Sequence, residues 1–165
     1  MNIILTMTLK KTLTSFLFLC STFLFSQNHH DFLYGVSLGY MNQSGNYGKI
    51  GAFGEIEFGN SRMNMLKLDV NANITGMRNK LSIIPEAGLT FYTFPDRLGG
   101  LGIFAETEFT PYTFTPKAGL SLFTFIDFGF GYGFEMHQKS NFKSIEGFQF
   151  SFGINIPLNF QLKMM

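Results

Sequence analysis

Ten charged side chains carry whatever chemistry this chain has, and they obey one spacing rule. Lys49, Glu55, Glu57, Lys67, Asp69, Glu86, Glu106, Glu108, Lys117 and Glu135 alternate with apolar residues inside segments of extended pattern. Successive side chains on a strand point to opposite faces, so all ten fall on a polar face. Gathered on the inner wall of a closed sheet, such a set could line a selective passage or hold a cation. The plainer reading is a buried charge network that fills the interior of a small barrel. It is preferred here, because a buried carboxylate without a partner is costly and pairing is expected. One pair is predicted by register: with a turn centred on Ile126, Lys117 lies across from Glu135, as an interior ion pair.

Other candidates carry less. His137 and Ser140 are three residues apart, a spacing that sends them to opposite faces of a strand. His29 would be third in a chain starting at Gln27, where a free amine and a third-position His can bind Cu(II) in a square plane. An N-terminal Gln tends to cyclise and remove that amine, so a polar lead-in is the better reading. Gly129, Gly131 and Gly133 have a GxGxG form, but their spacing of two suits a strand against a tight lumen, and no helix follows to receive a phosphate. The single cysteine, Cys20, follows Leu19, which is not the small residue that lipid attachment requires. No cofactor or metal is expected.

The elements that must position the charges are strands. From Phe148 to Phe160 every even residue is large and apolar, while the odd ones are Gln149, Ser151, Gly153, Asn155, Pro157 and Asn159. The same pattern recurs back to residue 31. Strands are predicted over 31–40, 47–58, 66–74, 81–92 and 101–109, with Phe53 breaking the second pattern. Pro85–Phe94 is echoed by Pro116–Phe125, which places Asp127 at the turn position held by Asp96. The run from Lys117 to Met136 therefore reads as two strands joined near Ile126 and Asp127. With the closing strand the count is eight. Loops at 41–46, 75–80, 110–116 and 137–146 are predicted to share one end.

The first 26 residues read as a cleaved secretory signal: Lys10 and Lys11 precede a greasy run from Leu13 to Phe25 that is too short to span a bilayer as a helix. The domain then comprises residues 27–165. Without Lys10 and Lys11, the 12 basic residues fall to 10 against 11 acidic ones, a net of −1 that argues against a nucleic-acid partner. The remaining chain lacks cysteine, hence a disulfide framework or thiolate metal site. Charged residues make up 14% and aromatics 17%, where a soluble domain carries about 25% charged residues. With no long apolar run after the signal, the composition fits a membrane barrel.

Alternation alone does not say which face meets lipid, since a soluble lipocalin-like barrel has the same period turned inside out. Three features point the apolar face outward. The polar face is rich in Gly and Ser, the apolar face is too bulky for an eight-strand interior, and Tyr34, Tyr40, Phe58, Phe109 and Phe160 fall near strand ends as girdles would. The fold expected is all-β: an eight-stranded antiparallel up-and-down transmembrane β-barrel. In this pattern the chain resembles the small eight-stranded outer-membrane barrel proteins of Gram-negative bacteria, over essentially the whole length after the signal.

That resemblance implies outer-membrane lipid and the barrel-assembly machinery as partners, and a monomer. Members usually end in an aromatic residue that the machinery reads; here the nearest is Phe160, followed by Gln161-Leu162-Lys163-Met164-Met165. Some such barrels are lipid A deacylases with a His-x-Ser-Asn strand motif, and His137-Gln138-Lys139-Ser140-Asn141 is one residue too long to match it. The expectation is a non-enzymatic outer-membrane protein with a plugged or very narrow lumen, in a structural, adhesive or minor-pore role. A lipid A-modifying hydrolase and a secreted barrel for an apolar ligand are the alternatives.

Overall fold

A computed structural model describes residues 32–57, 64–77, 80–95, 98–137 and 145–159. The signal reading, Gln27, His29, Phe58, Ser140, Asn141 and Phe160 lie outside the described residues.

Eight antiparallel strands, each hydrogen-bonded to its neighbours in sequence and the last to the first, close into a barrel. They are β1 (Leu33–Asn42), β2 (Asn46–Glu57), β3 (Asn64–Met77), β4 (Lys80–Thr93), β5 (Leu101–Phe109), β6 (Thr113–Leu122), β7 (Ile126–Glu135) and β8 (Gly147–Pro157). Phe-, Ile-, Leu- and Val-rich alternation favours these extended segments, and closure leaves no edge strand unpaired. Opposed residues lead from Leu33 through Glu55, Lys67, Thr90, Glu106, Lys117 and Gly131 to Gln149. Phe150 faces Asn42, so the circuit re-enters β1 at Gln43, ten residues beyond its start. With strands ~4.8 Å apart and ~3.3 Å per residue, that stagger over eight strands gives a tilt of about 40°.

The pleat sorts the side chains. Tyr34, Val36, Leu38 and Tyr40 are exposed while Gly35 and Ser37 are buried; Leu68 and Val70 are exposed while Lys67, Asp69, Asn71 and Asn73 are buried. No Asp, Glu, Lys or Arg occupies the outward side of any described strand. Outward aromatics interlock across β7 and β8, where Phe128 and Phe152 have ring centroids 5.0 Å apart and Phe130 and Phe150 5.4 Å. Phe53, which broke the sequence pattern, points inward and is buried.

Three boundaries differ from the sequence reading. The predicted loop at 75–80 shrinks, since β3 runs to Met77 and β4 starts at Lys80; Thr75 continues the inward row, its hydroxyl donating to the Asn46 carbonyl at 2.8 Å. The predicted loop at 110–116 ends at Tyr112, because Thr113 and Thr115 are inward strand positions. The turn expected at Ile126 and Asp127 lies instead at Phe123–Phe125, closed by the Phe125 N–H donating to the Leu122 carbonyl at 2.9 Å. Phe123 and Thr124 both have positive φ, 51° and 61°, in a turn position that usually takes Asn-Gly. Nothing in the residue types announced it.

Candidate functional site

The inward faces build three layers. Nearest the end that carries the β1–β2 and β7–β8 connections, Met41, Tyr47, Ile84 and Ile145 pack as an apolar plug with Tyr112 against it. Gln43 ties the plug to the barrel, its Nε2 donating to the Ile145 carbonyl at 2.6 Å.

Below it lies the first charge cluster. Glu108 is its hub: Lys49 and Lys117 both pair with Oε1, the latter at 2.6 Å, and Gln149 Nε2 donates to Oε2 at 2.8 Å. Lys117 also meets Glu106 at 2.8 Å, and Lys49 also meets Glu86. Asn73 Nδ2 donates to Glu86 at 2.6 Å. Asn71 Nδ2 bridges downward, donating to Glu86 at 3.3 Å and to Asp69 at 2.5 Å, while its oxygen accepts from Ser37 at 2.7 Å.

The lower cluster centres on Asp127. Lys67 Nζ lies 3.4 Å from its Oδ2 and 3.7 Å from Asp69, and 5.4 Å from the centroid of the Tyr92 ring. The Tyr92 hydroxyl and Asn155 Nδ2 each donate to Asp127 Oδ2 at 2.8 Å. Asn155 Nδ2 also donates to the Thr124 carbonyl at 2.7 Å, fixing the strained turn to the lumen. Glu55 is 1% exposed and its Oε1 has no hydrogen-bond partner among the described residues.

Glycine makes room for this filling. A Cβ at Gly119 would stand 2.7 Å from the Phe104 ring and collide with the Phe128 carbonyl; one at Gly131 would strike the Lys117 stem. Flat wall on β6 and β7 is therefore what lets Phe104 and Lys117 reach across. Two small cavities lie among these layers, one of about 40 Å³ that touches both charged clusters and one of about 10 Å³ between the upper cluster and the plug, the scale of a few water molecules and of one.

The ten residues singled out from sequence thus divide. Lys49, Glu55, Lys67, Asp69, Glu86, Glu106, Glu108 and Lys117 come together in the interior. Glu57 and Glu135 are half-buried at opposite rims. The proposed Lys117–Glu135 pair is corrected: Lys117 faces Gly131 on β7 and pairs with Glu106 and Glu108 on β5, while Glu135 faces Thr113. The pair failed because it depended on a turn at Ile126. The same misplacement hid Asp127, the hub of the lower cluster, which belongs to a strand and faces Ser121. The available clue was its phase, since Asp127 shares parity with the inward Gly129, Gly131 and Gly133.

His137 is exposed, and its backbone N–H donates to the Tyr112 carbonyl at 3.3 Å. Among the described residues no group of three or more His, Cys, Asp or Glu could hold a metal ion. No protein-family model, curated protein or solved structure matches the chain.

Proposed function

We propose that this chain is an integral outer-membrane barrel whose lumen is sealed by its own charge network, and that its role is structural or adhesive rather than catalytic. One observation carries the membrane reading. Every described outward strand position lacks a formal charge, while three Lys, four Glu and two Asp are turned inward. Water would favour the opposite arrangement, as in a soluble barrel that keeps its apolar side chains inside. Ten strand residues at this tilt rise about 25 Å along the barrel axis, the height of the apolar band on outer-membrane barrels. Tyr40 and Tyr132 near one rim and Tyr34 near the other are exposed and suit headgroup depth.

Outer-membrane fractionation tests the location: the account expects the protein in that fraction, resistant to carbonate extraction, with gel migration that changes on boiling. Recovery as a soluble periplasmic protein would overturn it. The hydrolase reading is tested separately, by mass spectrometry of lipid A from cells with and without the gene, and unchanged acylation is expected.

A further inference from the structure

We propose that the upper charge cluster binds one monovalent alkali cation, sodium or potassium, between the amide oxygens of Asn73 and Gln149. This inference goes beyond the membrane reading and does not require it. The cavity concerned is the one of about 10 Å³ under the plug, with room for one particle the size of a water molecule. Asn73, Gln149, Glu86, Glu108, Thr113 and Thr115 contribute its polar wall, and no Lys or Arg lines it.

Three observations choose a cation. First, Asn73 and Gln149 are 1% and 0% exposed, and Asn73 Oδ1 and Gln149 Oε1 have no hydrogen-bond partner among the described residues. The carboxylates fix which way each amide points, because an ionised carboxylate accepts only N–H or O–H. Asn73 Nδ2 donates to Glu86 Oε2 at 2.6 Å, and Gln149 Nε2 donates to Glu108 Oε2 at 2.8 Å. Each amide therefore presents its nitrogen to a carboxylate and keeps its oxygen for the cavity that both residues line. Second, the ammonium groups take the other carboxylate atoms: Lys49 meets Glu86 and Glu108 at Oε1, and Lys117 meets Glu108 at Oε1. A carboxylate offers about four lone-pair sites, so each Oε2 retains one beside its amide. Third, the charges of the cluster do not balance, since Glu86, Glu106 and Glu108 are paired only with Lys49 and Lys117. One monovalent cation neutralises the remainder, whereas a divalent ion overshoots it. A donor set made wholly of oxygen suits a hard cation. A water molecule would satisfy both amide oxygens by donating to each, but it would leave a buried charge uncompensated, which is costly.

Urea unfolding of the purified full-length protein tests this, with sodium chloride or potassium chloride replaced stepwise by N-methylglucamine chloride at constant ionic strength. A ligand bound only by the folded state makes the unfolding constant fall about tenfold for each tenfold rise in its concentration above Kd. That fall is expected for the unaltered protein with at least one of the two alkali ions. Unfolding constants that are the same in all three salts would overturn the proposal and assign the cavity to water. Two variants locate the ion: Asn73→Leu and Gln149→Met each remove one of the unpartnered oxygens at similar volume, and each should raise the cation concentration required at least tenfold. Ser37→Ala, buried in the lumen but outside this cavity, should leave that concentration unchanged. A cation dependence that is identical in the unaltered protein and in the Asn73→Leu and Gln149→Met variants would place the ion elsewhere and overturn the site. Flotation with liposomes reports membrane insertion whatever the salt, so the membrane reading stands or falls separately.

Discussion

Glu108 receives hydrogen bonds from Lys49, Lys117 and Gln149 at a site that is 2% exposed. Removing one member of a buried ion pair strands the others, at a cost of about 3–5 kcal/mol. Glu108→Gln should therefore destabilise the barrel on that scale in urea titrations from lipid vesicles, while Glu57→Gln at the rim should change stability by less than ~0.5 kcal/mol. Similar values for the two would mean that the network does not hold the interior together. Space matters as much as charge. Gly119→Ala should cost about 1–3 kcal/mol by overpacking against Phe104 and the Phe128 carbonyl, whereas Gly48→Ala, where a Cβ meets nothing within 4 Å, should be nearly neutral. Which charges face inward was legible from parity alone. Which charge meets which was not, because a period of two fixes a side chain's face and leaves its cross-strand partner to the register. Lys117 shows the difference: its face was read correctly, but its partners are Glu106 and Glu108, not Glu135.

At the scale of the element, the β6–β7 hairpin is where the sequence was hardest to read. Its turn places Phe123 and Thr124 in left-handed conformations with no Gly, Asn or Pro to mark it. Such conformations cost roughly 1–2 kcal/mol per residue, and here tertiary contacts hold them: the Phe123 N–H donates to the Gly100 carbonyl at 2.8 Å, and the Thr124 carbonyl accepts from Asn155 at 2.7 Å. Turn chemistry could not reveal a turn fixed from outside. Asn tolerates positive φ and keeps the backbone donor, so Phe123→Asn should stabilise the barrel by about 0.5–1 kcal/mol, read from the same urea titration. A loss of 1 kcal/mol or more would show that the Phe123 ring contributes more than its backbone strain costs. Thr75, Thr113 and Thr115 explain the overlong loop readings: short polar side chains resemble loop composition, yet each is an inward strand position.

For the whole molecule, the inverted distribution of polarity is the physical claim; alternation separated the two faces, and the Gly and Ser of the polar face with the bulk of the apolar one pointed the apolar face outward. Strand number also followed from the sequence; the stagger of ten did not, since it is a property of closure that no single segment encodes. A lumen filled by the plug and two charge layers predicts that purified protein passes no steady current across planar bilayers; sustained channel steps would contradict the sealed interior. Leu68→Lys should cost about 2–4 kcal/mol if that position lies near the middle of a bilayer. The most direct measurement is a fluorescent cysteine scan along β3 from Leu66 to Asn73, in the Cys20→Ser chain reconstituted with brominated lipid. The account predicts strong quenching at Leu66, Leu68, Val70 and Ala72 and little at Lys67, Asp69, Asn71 and Asn73. Quenching by aqueous iodide at the first set, with none from the lipid, would contradict it.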